Sequence, residues 1–525
     1  VKNDAYELAA SPRAATDRID GTVQNHTGGA VFEIGDAARA RRFLVLGSAG
    51  GTYYQRERDI TRENYDALTR MAQTAPAALA ALIRDVSVRG IAPKVDPQLF
   101  GLAVMTSQPG EARALAFDIF PDVVRTGSHL LMWARYNKAL GGKVGRAWRR
   151  AVSTWYTSRA ADGLAYQLAK YRQRDGWSQK DLIDMSHALA GTQPIETTAA
   201  LAWARGSSGK DGFEWMGESL PLLLASLDSD ASVKQLIAAG ASWEMLPDAE
   251  LRRSETWDTL IAARRLPLTA ALRQLARMTE IGVFDPYFSN ETAGRLKALF
   301  ADEDAIRKAR VHPLNVLIAL RAYATGATRS GLSYRPVPGV IEALDPMFYT
   351  AFETAEASNK RHLVGVDISS SMRGVTALGL SSHEIATVLA MKILRTEPQS
   401  LVVGFADQIR ELGMTRTMDL QGALRTTQGA FGATNPGALI EYAWRHKIPV
   451  DTFVVITDNE VNRGRHVPDV LKAYRSETGI DAKLAVLACT ATDFSIADPN
   501  DPGMLDIAGF GSDVPALLTE FSRGL

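Results

Sequence analysis

The stretch His362–Gly374, HLVGVDISSSMRG, starts as an apolar run fit for a buried strand and ends on Asp367, Ser369, Ser370 and Ser371. In open α/β sheets, ligands bind beyond the carboxyl ends of the strands. An Asp-x-Ser-x-Ser loop there supplies one charged and two neutral oxygens. Two further pieces lie downstream. GATNPGALIEYAW places Thr434 just before a helix start, with Asn435 as N-cap and Pro436 at the first position, and TFVVITDNE ends an apolar run on Asp458. Three such loops, converging, would present Asp367, Ser369, Ser371, Thr434 and Asp458 to one hard cation that takes oxygen ligands. The expected cofactor is a divalent cation, Mg²⁺ first, with Mn²⁺ or Ca²⁺ as alternatives. With only two carboxylates the ion keeps residual positive charge and an open position for an acidic partner group. The plainer reading, in which Asp367 and the serines cap the next helix, leaves Thr434 and Asp458 unexplained.

Catalytic readings fit less well. An aspartate that takes up phosphate usually has a second Asp two residues on, where Ser369 stands here. No G-x-G-x-x-G follows the strand, and no GxxxxGK[ST] or His-Glu-x-x-His occurs. Asp458 and Glu460 could begin a metal-dependent nuclease site, but a two-metal site wants more carboxylates than this neighbourhood supplies. No catalytic residue is assigned, and the chain is not expected to be an enzyme.

A second constellation is basic. Residues 121–180 hold 12 Lys or Arg against Asp122, Asp162 and Asp175. Arg135, Lys138, Lys143, Arg146, Arg149, Arg150, Arg159, Lys170, Arg172, Arg174 and Lys180 recur with Trp133, Tyr136, Trp148, Trp155, Tyr156, Tyr166, Tyr171 and Trp177 between them. Cations pair with phosphates, and aromatic faces can stack on unpaired bases. The alternative is a solvated face over an aromatic core, and Trp148 and Trp155 read as core. A solvated face normally mixes signs, however, and this segment lacks acids, which favours nucleic acid as the partner.

The elements that would position these groups fall into two kinds. A chain of 525 residues is too long for one core. Its 59 basic and 59 acidic residues cancel, so the total says nothing about partners. A single cysteine, Cys489, excludes internal disulfides and multi-cysteine zinc sites and fits a reducing compartment. No apolar run reaches the ~18 residues of a membrane span, and the first forty residues are unlike a signal peptide, so a cytoplasmic protein away from membranes is expected. Residues 60–325 read as helix after helix with no strand. PLTAALRQLARMTEIG puts Leu268, Leu272 and Leu275 on one face, with Pro267 suited to a first helical position and Gly282 to the stop, and Ser178 and Asp181 have capping-box spacing. Helix pairs stacking only on neighbours, HEAT-like, are the natural reading. After a Gly/Ser/Pro-rich connection at 325–339 and one more helix, the texture changes at 361 to strand-like runs alternating with helices, the pattern of a doubly wound, mostly parallel sheet. The expected division is thus a helical RNA-binding domain over 1–360 and a sheet domain over 361–525.

The five oxygen-bearing residues closely resemble the metal-ion-dependent adhesion site of the von Willebrand factor A domain. GSAGGTYY, GRAWRRAVSTWY, LAKYRQRDGWSQKDLIDMSH, LPLTAALRQLARMT, HPLNVLIALRAYATG and ALDPMFYTAFETAE resemble, in order, blocks of the TROVE module, the helical half of the Ro ribonucleoprotein autoantigen family. Together they make the chain similar to a bacterial-type Ro ortholog; GSSGKDGFEWMG departs from the pattern. The resemblance implies a ring of helical repeats bridged by the A domain. It implies small Y RNAs on the outer basic surface, single-stranded 3′ ends of misfolded RNAs through the hole, and a 3′-to-5′ exoribonuclease such as polynucleotide phosphorylase joined through the Y RNA. The protein is expected to be monomeric within that ribonucleoprotein and to act in RNA quality control, decay or stress survival. Lys170, Arg174 and His187 match the family's Y RNA contacts; Arg172 and Lys180 are neighbours, with Arg146 and Arg149 on the same basic segment. Arg135, Lys138 and His129 are the candidates for the hole and its rim. The rival readings are the metal-dependent nuclease and an adhesion-type protein-interaction module without RNA.

Overall fold

The computed structural model describes residues 13–524, apart from 48–56, 91, 93, 175, 191, 207–218, 310, 312, 329–330, 352–356, 375–379, 430–431, 491, 493 and 509–513. Most of GSAGGTYY and of GSSGKDGFEWMG lies outside the described residues. The chain opens on a hairpin of β1 (Thr22–Gln24) and β2 (Ala30–Glu33), whose turn holds Gly28 at φ 88°. Helices then run from Asp36–Leu46 to Pro338–Thr350. Each packs chiefly on near neighbours, as Asp96–Ser107 on Gly127–Ala139, Ala161–Lys170 on Ile195–Arg205, and Pro313–Ala324 on Pro338–Thr350. Leu268–Glu280 shows the local cause. Leu268, Leu272, Leu275 and Met278 are buried at helical spacing, and Gly282 ends the segment at φ 75°. Pro267 stands one position earlier than expected, as an extended N-cap with ψ 147°.

The expectation of unbroken helix across 60–325 needs one correction. β3 (Gln173–Arg174) and β4 (Trp177–Ser178) pair antiparallel across Gly176, at φ 80°. Asp-Gly is a strong two-residue hairpin signal, and here it outweighs the helical periodicity around it. The capping box at Ser178 then starts the helix Gln179–Ser186 directly from the ribbon.

From His362 the chain builds a six-stranded sheet in the order β11-β9-β8-β5-β6-β7. These strands are β5 (His362–Asp367), β6 (Ser400–Phe405), β7 (Ile409–Glu411), β8 (Thr452–Thr457), β9 (Lys483–Ala488) and β11 (Met504–Ala508). All neighbours are parallel except the edge strand β7. β5 and β8 are buried at every position, as parallel strands covered on both faces must be. From β5 the chain goes to β6 on one side and later to β8 on the other. The strand order therefore reverses between β5 and β8, which makes a ligand crevice at their carboxyl ends.

Contacts at both ends of the helical region bridge the expected division at residue 360. β2 pairs antiparallel with the short strand β10 (Phe494–Ser495), and Ala15 and Val31 join the apolar core of Leu439, Phe453 and Val455. A strand that buries Ala30, Val31 and Phe32 needs partners on both edges, and β10 is the second. The first described helix, Asp36–Leu46, lies against β11. Its fully buried Arg42 donates to both carboxylate oxygens of Asp506, at 2.5 and 3.2 Å, and to the carbonyls of Thr492 and Phe494, at 2.7 and 2.8 Å. At the far end of the helical run, Arg321 donates to Glu384 of the helix Ser382–Thr396 at 2.7 Å. Both ends of the helical region thus dock on the sheet domain, and the path of contacts is closed.

Candidate functional site

The crevice at the switch point gathers the predicted oxygens. Asp367, Ser369, Ser371, Thr434 and Asp458 are all buried. Asp367 accepts the Ser369 amide at 2.9 Å on one oxygen and the Thr457 hydroxyl at 2.6 Å on the other. The hydroxyls of Ser369 and Ser371 lie 3.1 Å apart, and Ser371 also bonds Asp458. The Thr434 amide donates to Asn462 Oδ1 at 2.8 Å, and its carbonyl accepts the amides of Asn462 and Arg463, at 3.2 Å each. The second loop is thereby tied to the third. Pro436 stands at the helix N-cap instead of the first position, while Asn435 still accepts the Ala438 amide.

Burial raises the pKa of Asp367; burial and then the nearby Asp367 charge raise that of Asp458. Two interior carboxylates that oppose each other's ionisation, with hydroxyls beside them, suit a hard cation. Among the described residues no group of three or more His, Cys, Asp or Glu could hold a metal, so the hydroxyl-rich set is the candidate. A cation held there would supply positive charge at the crevice mouth. Asp458→Asn is expected to abolish Mg²⁺ uptake by calorimetry. It should also stabilise the metal-free protein at neutral pH by on the order of 1–3 kcal/mol, because it removes a charge the fold disfavours. A less stable variant in chelator would show that the two carboxylates do not oppose each other.

Sequence reasoning missed the groups that hold this set. Thr457 and Asn462 orient Asp367 and Thr434. The β1–β2 turn reaches over the loop after β8. Asn25 donates to the Val461 carbonyl at 2.9 Å, and His26 Nδ1 lies 2.6 Å from the buried Glu460. No local pattern signals a contact between residues so far apart in the chain.

The basic segment divides into three groups. On the helix Arg146–Thr157, Trp148, Val152, Trp155 and Tyr156 are buried, while Arg146, Arg149 and Arg150 are exposed. Among the described residues these three arginines make no ion pair. Trp155 Nε1 donates to the Val124 carbonyl at 2.7 Å and Tyr156 OH to Gln179 at 2.7 Å, so the aromatics are core. The second group is cations lying over aromatic rings: Arg135 over Tyr136, Lys138 over Trp177, and Arg172 over Trp203, at 4.6, 5.3 and 4.7 Å. Tyr136 and Trp177, half-buried rings from the aromatics read as able to stack on bases, are already covered here.

The third group is matched by acids from elsewhere in the fold. Lys170 lies 3.2 Å from Glu244, and Lys180 shares Asp184 with Arg205. The acid-free face read from 121–180 is therefore partly neutralised. Arg174 is exposed and donates to Ser128 Oγ at 2.7 Å, close to the N-terminus of the helix Gly127–Ala139. His187 is exposed at the end of Gln179–Ser186, in the left-handed region at φ 57°.

His129 differs from the rest. Burial, with Arg125 and Arg174 nearby, lowers its pKa to about 4. It is neutral at physiological pH and contributes no charge to a phosphate. Its folded pKa lies below the unfolded value near 6.5, so its stabilising contribution is complete above pH 6.5 and is lost as pH falls through 4. His129→Gln should flatten that acid-side loss in urea titrations between pH 6.5 and 4. An unchanged slope would mean the imidazole is solvated.

The TROVE domain model matches residues 23–206 and 223–334, and the Ro60 vWA domain model matches 361–522. The chain is 36% identical over 544 residues to the RNA-binding protein RO60 of Deinococcus radiodurans, covering 100% of both. It is 31% identical over 600 residues to the protein of that name from Caenorhabditis elegans, covering 99% of this chain and 92% of the other. The crystal structure of Deinococcus radiodurans RO (RSR) protein superposes with a TM-score of 0.69 at 33% identity, over 93% of this chain and 99% of that one.

Proposed function

The chain belongs to the Ro60 family of RNA-binding proteins, and from that premise we propose that it is a non-enzymatic scaffold for small structured RNA. It binds a Y RNA on its outer helical surface, through the exposed arginines of Arg146–Thr157 and through Arg172, Arg174 and His187. Single-stranded 3′ ends of misfolded RNAs enter the closed helical path, with Arg135 and Lys138 at its rim. The bound Y RNA joins a 3′-to-5′ exoribonuclease of the polynucleotide phosphorylase type, and the assembly serves RNA decay in the cytoplasm. Among the described residues no helix is long and apolar enough to cross a membrane. Asp367, Ser369, Ser371, Thr434 and Asp458 would hold a divalent cation, whose open side takes an acidic group of a partner.

The helix Arg146–Thr157 carries this reading. It has no acidic residue in its first turn and no side-chain cap at Gly145. Arg146 therefore stands at the end of a helix whose dipole repels cations, at ~0.3–1 kcal/mol, with Arg149 and Arg150 one turn on and also exposed. A polyanion reverses that cost. The test is RNA binding by the whole protein across 50–300 mM salt, with the RNA analysed afterwards on a gel containing Mg²⁺-treated and chelator-treated samples. Expected are a steep fall of affinity with salt and intact RNA in both samples. A flat salt response would remove phosphate neutralisation as the binding force, and Mg²⁺-dependent shortening would turn the reading towards a nuclease.

A further inference from the structure

Two cavities adjoin here: one of about 460 Å³ opens between the end of the helical run and the sheet domain, and one of about 210 Å³ continues it along the metal-side face of the sheet domain. They share Arg373, His383 and Gln428, so they form one cleft. At one end it is walled by Leu317 and Arg321 of Pro313–Ala324 and by Leu424 and Arg425 near the helix Leu420–Thr426. At the other end it reaches Ser369. Neither half of the chain makes this cleft alone.

Among its described lining residues the charges do not cancel. Glu384 is the one carboxylate among them, and it is already engaged by Arg321, at 2.7 Å, and by the Ser381 amide and hydroxyl, at 2.8 and 2.9 Å. Arg373 donates to the Gly429 carbonyl at 2.9 Å, a neutral acceptor that fixes its guanidinium, and among the described residues it makes no ion pair. Arg425 is exposed and, among the described residues, makes no ion pair. Two guanidiniums thus face a space lined by Leu317 and Leu424 and by the amides of Gln421 and Gln428. Guanidiniums take phosphates, apolar walls take a base face, and amides take a base edge. An acidic peptide would use the arginines and leave the apolar walls unfilled.

We propose that this cleft binds about one or two nucleotides of single-stranded RNA, within the size range of small-ligand sites, with phosphates on Arg373 and Arg425. The proposal rests on the RNA-binding reading above but concerns a different surface, so the two can fail separately. The experiment compares a labelled decauridylate with a blunt hairpin RNA on the full chain. Arg373→Glu with Arg425→Glu should weaken decauridylate by roughly 30-fold, lower its salt slope by about one to two, and leave the hairpin unchanged. The Arg146→Glu, Arg149→Glu, Arg150→Glu protein should do the reverse. Unchanged decauridylate affinity in the cleft variant overturns the proposal, as does displacement of decauridylate from the outer-face arginines alone. Should the cleft variant not fold, 4-thiouridine crosslinks on the unmodified protein decide: adducts within Gln421–Gln428 support the site, and adducts elsewhere only overturn it. A polyglutamate peptide that protects the cleft where decauridylate does not would likewise overturn it.

Discussion

Converting Arg146, Arg149 and Arg150 together to glutamate is expected to lower affinity for structured RNA by roughly 10²-fold or more at 0.15 M salt, and to reduce the salt slope by about three. The fold should not suffer. All three side chains are exposed, the core face is carried by Trp148, Val152, Trp155 and Tyr156, and a glutamate at the first helical position is favoured by the dipole. The variant should therefore melt at the same or a higher temperature while binding less RNA. That opposition separates a binding surface from a structural one, for which affinity and stability would fall together. By contrast, Lys170→Glu alone is expected to have a small effect on phosphate binding, because Glu244 already holds that ammonium at 3.2 Å. If the triple variant binds RNA like the parent, the outer surface lies elsewhere.

Arg42→Ala is expected to have the largest effect on stability, a loss of about 3–5 kcal/mol in denaturant titrations. Its guanidinium is fully buried and satisfies Asp506 together with two backbone carbonyls. Removing it leaves Asp506 with only the Ser495 hydroxyl among the described donors, and takes a donor from each of those carbonyls, where Asp36–Leu46 meets β11. Because this contact closes the helical path on the sheet domain, binding of single-stranded RNA should weaken while hairpin RNA still binds the outer helix. Arg42→Met with Asp506→Leu should recover part of the stability, since a volume-matched apolar pair removes both the charge and its need for a partner. A loss below about 1 kcal/mol for Arg42→Ala would mean the closure is held by apolar packing instead.

What the chain's order revealed was whatever a short window contains. Asp-x-Ser-x-Ser after a strand, Thr434 before a helix and Asp458 after another strand are each local, and parallel pairing brings such strand ends to one side. The amphipathic face of Arg146–Thr157 is likewise local. The ribbon at Gln173–Ser178 has its local signal too, Asp-Gly, but a two-residue cue is easily lost among the long helical periodicities on either side. Partners that arrive from distant segments had no such signal. Glu244 neutralises Lys170, Asp506 receives Arg42, and Asn25 reaches Val461, and none of these pairs shares a window of sequence. The cleft between Arg321, Arg373 and Arg425 is invisible for the same reason, since its walls come from both halves of the chain.

The pairing of β2 with β10, and of Asn25 with Val461 some 436 residues later, has a consequence for how the protein is made. A ribosome releases the opening hairpin long before its partner strand has been translated. Through nearly the whole of synthesis that apolar ribbon waits with one unsatisfied edge, the kind of surface that invites mispairing with other nascent chains. The strand near residue 494 must capture the one near residue 32, so maturation of the ribbon waits for β10 to emerge, and fragments lacking either strand inherit a raw edge that the other cannot cover.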